Sequence, residues 1–191
     1  MLDVGCGDKP YADVVRGVVT AHIGIDRADS PHGTARVDKI GTAYETGEAD
    51  GCADTVLMSQ VFEHLEEPFE ALREAHRVLT TGGILLLSTN FSWHLHEEPR
   101  DFYRYSEHGL RYLFEKSGFE VVEIQAVTGT WFLLFQEASY AIRRAARRRT
   151  WAVAISLPAT HLLQVMAIIS ERLTQDHGLS SGHIVVGRKI S

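Results

Sequence analysis

Two glycines and two acids stand where short β-type runs end. Leu2-Asp3-Val4 leads into Gly5-Cys6-Gly7, and a second run, His22 to Asp26, closes on an acid 23 positions after Asp3. Glycine has no Cβ, so the backbone at 5 and 7 can take positive φ and approach a ligand that a side chain would exclude. Asp3, one strand position before the turn, directs a carboxylate at the same space, which suits a cationic ligand. Asp26, at a strand end, can accept hydrogen bonds from both hydroxyls of a ribose. The set describes a site for a nucleoside cofactor, although an ordinary tight turn with Asp26 as a helix cap would use the same residues. A dinucleotide fingerprint G-x-G-x-x-G needs glycine at position 10, where this chain has Pro10, so a nucleotide-dependent oxidoreductase is disfavoured.

Further along, His94 and His96 flank Leu95, so on an extended segment they share a side, and Tyr103 and Tyr105 follow. His94, His96 and Tyr103 are the candidates to take a proton from an acceptor hydroxyl. A packed aromatic loop from Trp93 to Tyr105 is the alternative. The histidine pair lacks a recognisable third ligand, so no metal is expected.

The elements that must position these groups alternate. Strand patterns fall at Leu2–Val4, His22–Asp26, Ala35–Ile40, Asp54–Ser59, Ile84–Ser88, Phe119–Val127 and Gly182–Lys189. A short helix fits within Pro10–Val19. Pro68–Leu79 has helical spacing of Phe69, Leu72, Ala75, His76 and Leu79, with Pro68 in the first turn and Thr81-Gly82-Gly83 ending it. Ser106 caps a helix to Lys116 that Gly118 stops. Alternation of this kind implies parallel pairing through right-handed crossovers, hence an α/β, Rossmann-like doubly wound sheet of about seven strands with an antiparallel last strand. Ligands bind in such sheets beyond the carboxyl ends of the strands where the order reverses, which singles out the loop after Leu2–Val4.

Leu2-Asp3-Val4-Gly5-Cys6-Gly7 resembles the first motif of the class I S-adenosylmethionine-dependent methyltransferases, and of their broad type 11 group in particular. Asp54 to Leu65, reading DTVLMSQVFEHL, is similar to that group's fourth strand and following turn. Glu74 to Leu79 with Thr81-Gly82-Gly83 is similar to its helix and glycine turn before the fifth strand. The resemblance implies S-adenosylmethionine as cofactor, with Gly5 and Gly7 beside its methionine and ribose, Asp3 near its amino group and Asp26 on the ribose. It further implies Asp38 at the adenine amino group and Ser59 and Gln60 walling the pocket, while Glu63 and His64 shape the turn. Acceptors enter this family past the fifth strand, near His94 and His96. The chain departs from the pattern at Lys9, where a third glycine is frequent, and at its start, where only Met1 precedes Leu2. The helix that helps close the family's pocket has no counterpart in this sequence, so either the chain is truncated or the pocket is open, and in the second case weak cofactor affinity is expected.

A chain of 191 residues, 45% hydrophobic and 23% charged, suits one globular domain. Its net charge of -6 disfavours nucleic acid as a partner. Two cysteines without metal spacing suggest reduced thiols, and no secretion signal is visible, so a cytoplasmic location is expected. Residues 130–175 interrupt the alternation as two helices, Trp131–Arg149 and Trp151–Thr174, with Arg143, Arg144, Arg147, Arg148 and Arg149 between apolar stretches. A lid over the acceptor is the expected role, and peripheral membrane contact through 131–169 is its rival. Ser156, Pro158, Thr160, His161 and Gln164 argue against a spanning helix. The expected reaction is methyl transfer to a small-molecule, glycan or lipid-linked acceptor, at oxygen. A cofactor-binding scaffold without activity is the alternative.

Overall fold

The computed structural model describes the chain except for Gln175, His177 and the Thr150 side chain, so the expected end of the inserted segment at Gln175 lies outside the described residues. Seven strands form one sheet: β1 (Leu2–Val4), β2 (Ile23–Asp26), β3 (Lys39–Ile40), β4 (Ala53–Ser59), β5 (Leu79–Asn90), β6 (Phe119–Ala126) and β7 (Gly182–Lys189), in the order β3-β2-β1-β4-β5-β7-β6. β1 pairs in parallel with β2 and β4, and β3 and β5 extend the parallel set outward. Ile190 N–H donates to Gly118 O at one end of the β6–β7 pair and Val127 N–H to Gly182 O at the other, an antiparallel closure. The order turns back between β1 and β4, so the switch point falls at the Gly5–Gly7 loop.

The chain divides into two compact units, residues 1–125 with 183–191 and residues 126–182. In the first, α1 (Ala12–Val15), α2 (Pro68–Val78) and α3 (Glu107–Lys116) follow β1, β4 and β5. Ala71, Leu72, Ala75 and Val78 of α2 are buried at i, i+1, i+4 and i+7, the stripe of a helix lying on a sheet. Ser106 caps α3 by accepting from the Gly109 N–H. Val56, Met58, Leu85 and Leu87 meet these helices as fully buried side chains, each contributing about 1.5–3 kcal/mol over an exposed position.

Three element boundaries differ from expectation for physical reasons. β3 keeps only two residues, both exposed, because it is the sheet's edge; Ala35 and Arg36 before it are exposed, and Arg36 Nη1 donates to Asp8 O at 3.4 Å instead of joining the strand. The Thr81-Gly82-Gly83 turn lies inside β5: helix α2 stops at Val78, Leu79 pairs with Ala53, and pairing resumes at Ile84 with Thr55, so the extra residues bulge with Gly82 at φ 79°. The helix after Gly7 is reduced to four residues.

The second unit is a helical hairpin of α4 (Thr130–Ala146) and α5 (Thr150–Leu173). α5 runs through Pro158 as one helix. Gln164 donates to Gln136 Oε1 between the two helices, and Glu171 accepts from the Gly129 N–H at the base of α4.

Candidate active site

The loop after β1 is built from left-handed residues, with Gly5 at φ 73°, Gly7 at 48° and Lys9 at 52°. Among the described residues three non-glycines take this conformation, Lys9, Gln60 and Glu97, and they follow β1, β4 and β5 respectively. The cost of holding them there is about 1–2 kcal/mol each, and it is concentrated in the three loops that surround the switch point.

Gly5 N–H donates to Ile25 O at 2.8 Å, and Gly7 N–H to Asp26 Oδ2 at 2.8 Å. The Asp26 carboxylate also accepts from its neighbour's Arg27 N–H at 2.7 Å and from Ser30 Oγ at 3.2 Å. Asp26 is thus aimed from the end of β2 across the glycine loop, and it keeps partial exposure. A Cβ on Gly5 would lie 2.4 Å from Val61 Cγ2, so glycine here lets the β1 loop press against the turn that follows β4. At the end of β4, Ser59 Oγ contacts Tyr11 OH at 3.0 Å and Ser88 Oγ at 3.1 Å, and Gln60 Nε2 donates to Ser88 Oγ at 3.1 Å. Gly5, Gly7, Asp26, Ser59 and Gln60 therefore surround the carboxyl ends of β1, β2 and β4, joined by Tyr11 and Ser88, which the motifs did not single out.

The other two expected acids sit differently. Asp3 is 3% exposed and its Oδ2 lies 2.8 Å from His22 Nε2; burial raises its carboxyl above the usual range, opposed by His22 and Lys9. Asp38 precedes β3 and accepts from the Gly24 N–H at 2.7 Å and from the Lys9 ammonium. Lys9 is the cause. Its chain crosses Gly24 so closely that a Cβ there would lie 2.2 Å from Lys9 Cε, and its ammonium also reaches His22 O at 3.3 Å. The Lys9 hydrogen bond holds the Asp38 carboxyl below the usual range. Asp38 receives both donors on Oδ2, and its side chain is 48% exposed.

On the acceptor side, His94 and His96 do not pair. His94 stacks on Trp93 with ring centres 4.8 Å apart, and Arg104 donates to the carbonyls of both. His96 turns instead to His64, ring centres 4.8 Å apart and edge-on, and its backbone N–H donates to Asp101 Oδ2 at 2.9 Å. Arg104 grips Asp101 with two hydrogen bonds of 2.6 and 2.8 Å, and these hold its carboxyl well below the usual range. The Tyr103 hydroxyl donates to Glu66 O at 3.1 Å. Phe102 and Tyr103 N–H both donate to Glu63 O, so the segment after β5 is pinned to the 3₁₀ turn Phe62–His64. Glu63 is fully buried, a position that its reading as a turn former did not anticipate.

The comparisons with known proteins agree with this geometry. A methyltransferase domain family profile matches residues 1–124. A protein of Mycolicibacterium smegmatis named as a probable S-adenosylmethionine-dependent methyltransferase is 35% identical over 95 residues, covering 47% of this chain and 37% of that protein. The ubiquinone biosynthesis O-methyltransferase of Pseudomonas paraeruginosa is 29% identical over 100 residues, covering 47% and 43%. The chain thus matches less than half the length of these relatives. Among solved structures, the phosphoethanolamine N-methyltransferase 2 of Haemonchus contortus in complex with S-adenosyl-L-methionine superposes with a TM-score of 0.63 at 18% identity, covering all of this chain and 48% of that one. Such identity speaks for the fold alone. With its first 124 residues matched and its glycine loop at the switch point, the chain belongs to the methyltransferase domain family, in its class I S-adenosylmethionine-dependent form.

Proposed function

We propose that this chain transfers a methyl group from S-adenosylmethionine to an oxygen of a small-molecule, glycan or lipid-linked acceptor. The observation that carries the reading is the Gly7 N–H held on the Asp26 carboxylate at 2.8 Å beside a left-handed glycine loop. The donor set fits an adenosyl group, with a side-chain-free backbone for close approach and a carboxylate that retains acceptor capacity for ribose hydroxyls. S-Adenosylmethionine supplies a methyl group already activated by its sulfonium. The chain's own residues then have to bind, orient and exclude water. In this reading Asp26 holds the ribose, Gly5 and Gly7 border it, Ser59 and Gln60 wall the pocket, and Asp3 serves the amino end together with His22. Asp38 keeps Lys9 and Gly24 on Oδ2 and meets the adenine amino group with its other oxygen.

An oxygen acceptor is favoured by the ubiquinone O-methyltransferase relatives and by the histidines after β5. His96 works on the acceptor hydroxyl, oriented by Asp101, with Tyr103 and His94 lining the same segment. For the second unit, the exposed apolar side chains of α5, Trp151, Ile155, Leu162, Val165, Ile169 and Leu173, favour a bilayer surface. Trp151–Leu173 is long and apolar enough to cross a membrane by length and composition. Yet β6 and β7, which flank the hairpin, pair in one sheet, so both hairpin ends share a side and a spanning hairpin would carry the arginines at 143–149 across. A translocated turn rich in arginine runs against the excess of Lys and Arg on the side from which a hairpin inserts, so lying flat with the arginines at the headgroups is the favoured arrangement.

The experiment is a calorimetric titration with S-adenosylhomocysteine, followed by transfer of labelled methyl to a panel of phenols, sugars and prenylated phenols. Asp26→Ala should weaken binding at least tenfold, and His96→Ala should lower turnover about 100-fold at saturating cofactor. A folded wild-type chain that binds neither cofactor nor demethylated product would end the reading.

A further inference from the structure

In sequence, His94 and His96 stand in the segment between β5 and α3 with no third ligand recognisable beside them. Folding changes the set: it parts His94 from His96 and brings His96 to Glu63 and His64, which stand 33 and 32 positions earlier. One ligating atom of each of Glu63, His64 and His96 lies within 4.8 Å of the other two.

The state of each group can be worked out from its partners. Glu63 is fully buried, and among the described residues it makes no ion pair with lysine or arginine. Thr89 Oγ1 donates to its Oε2 at 2.8 Å and Asn90 Nδ2 to its Oε1 at 2.7 Å. A carboxylate offers about four lone-pair sites, and these two donors together with Glu63's own backbone N–H leave one for a further ligand. His64 Nδ1 contacts Arg100 O, and a carbonyl oxygen can only accept, so the proton is on Nδ1 and the lone pair on Nε2. His96 Nδ1 lies 3.4 Å from the Asp101 carboxylate without the alignment of a hydrogen bond, so its tautomer is set at the other nitrogen, where the Asn90 amide N–H can only donate. His96 Nε2 faces the same Asn90 amide that donates to Glu63, at 3.5 Å. Both imidazoles therefore carry their lone pair on Nε2, in the cluster that the buried Glu63 completes, and His64 holds its other nitrogen on the Arg100 carbonyl. Outer partners of this kind fix tautomer and ring orientation in metal-binding histidines.

We propose that Glu63, His64 and His96 bind one first-row divalent transition cation. Two imidazoles and one carboxylate suit Zn²⁺, Co²⁺ or Fe²⁺ better than Mg²⁺, which takes oxygen ligands and holds its water. Three protein ligands leave a coordination position open, the arrangement of reactive rather than structural sites. Glu97 stands at the rim, its Oε2 3.9 Å from His64 Nε2. The use of such a cation to bind an acceptor's oxygen rests on the methyl-transfer reading above, and with the cation bound it is the cation, not His96, that acts on the acceptor hydroxyl, because a ligated Nε2 has no lone pair left for a proton. The binding itself rests only on these side chains.

Cobalt tests the site, because Co²⁺ bound by imidazole and carboxylate in low symmetry absorbs visibly. The full chain, stripped with a chelator, is titrated with Co²⁺ and followed by absorption and equilibrium dialysis, with circular dichroism as the fold check. One Co²⁺ per chain is expected, displaced by Zn²⁺ and not by comparable Mg²⁺. His96→Ala, a partly exposed position, and Glu63→Gln should each weaken binding at least tenfold, while His108→Ala on α3 leaves it unchanged. Should Glu63→Gln fail to fold, His64→Gln replaces it. No visible band in the wild type, or a His96→Ala chain that binds Co²⁺ as the wild type does, overturns the proposal. S-Adenosylhomocysteine is titrated on the same samples, so failure of the metal site and failure of the cofactor reading are seen separately.

Discussion

Glu74 offers a quantitative test of how the sheet unit is held together around its site. It stands on α2, 8% exposed, and its Oε1 accepts from Thr46 N–H at 2.8 Å, Thr46 Oγ1 at 2.7 Å and Arg77 Nη2 at 2.8 Å. Oε2 accepts from Arg77 Nε at 2.8 Å, and Arg77 in turn reaches Glu48 O and Asp50. One buried carboxylate thus ties α2 to the whole loop between β3 and β4. Burial pushes its carboxyl up, and the hydrogen bonds from Arg77 and Thr46 outweigh it, bringing it from the usual 4.5 to about 2.

The sign follows from linkage. A folded value below the unfolded one means that the unfolded chain binds the proton more tightly, so the contribution is complete above 4.5 and is lost as pH falls toward 2. At 1.36 kcal/mol per tenfold in proton affinity the gap corresponds to about 3 kcal/mol. Arg77 is 36% exposed, so water screens part of it, and about 2 kcal/mol is the figure to expect. Glu74→Gln should lower the unfolding free energy by that amount at pH 7, measured by urea titration and circular dichroism. The difference from wild type should hold down to about pH 5, shrink below it, and nearly vanish around pH 2. A difference under about 0.5 kcal/mol at neutral pH, or one that does not change between pH 7 and 3, would refute the reasoning.

Gly5→Ala should cost more than the 1–2 kcal/mol of its left-handed backbone, because the new Cβ meets Val61. Adding Val61→Ala should relieve the clash and leave the backbone cost; a double variant no better than the sum of its parts would contradict the contact. The chain should sediment with phosphatidylglycerol vesicles at low salt and release as salt is raised, since guanidinium–headgroup attraction is screened within about 10 Å at 0.1 M. Absence of sedimentation at low salt, with the protein folded, would remove the bilayer from the proposal.

Much of the architecture could be read in advance because its signals are local. Ile84 to Leu87 forms a continuous apolar run, Ser106 and Gly118 bracket a helix, and Gly5 and Gly7 interrupt a β-type segment; each needs only neighbours to interpret. What escaped depends on partners distant in sequence. The glycines at 82 and 83 read equally as a helix stop or a bulge, and only the pairing of Leu79 with Ala53 decides. His94 and His96 alternate as an extended pair should, yet Arg104 and Asp101 hold the segment so that one ring meets Trp93 and the other His64. The Glu63-His64 step reads as the start of a turn, which it is. Its burial against Thr89 and Asn90 comes from where β5 ends, not from any feature of the dipeptide.

Lys9 shows how a departure from a motif can be answered elsewhere in the chain. A third glycine serves close packing of helix on strand, and Lys9 brings a long side chain to that place. The chain accommodates it at Gly24, whose missing Cβ opens the track that Lys9 follows to Asp38. The ion pair has little energetic weight, since Asp38 is 48% exposed and such pairs contribute about 1 kcal/mol or less. Its effect is geometric: Asp38 receives the Gly24 N–H and the Lys9 ammonium on one oxygen, fixing the start of β3 against β2 and the end of the glycine loop against both. Positions 9, 24 and 38 therefore form one unit. With both donors on Oδ2, the acid at 38 joins the frame of the glycine loop while its other oxygen, on a half-exposed side chain, can still accept from a ligand.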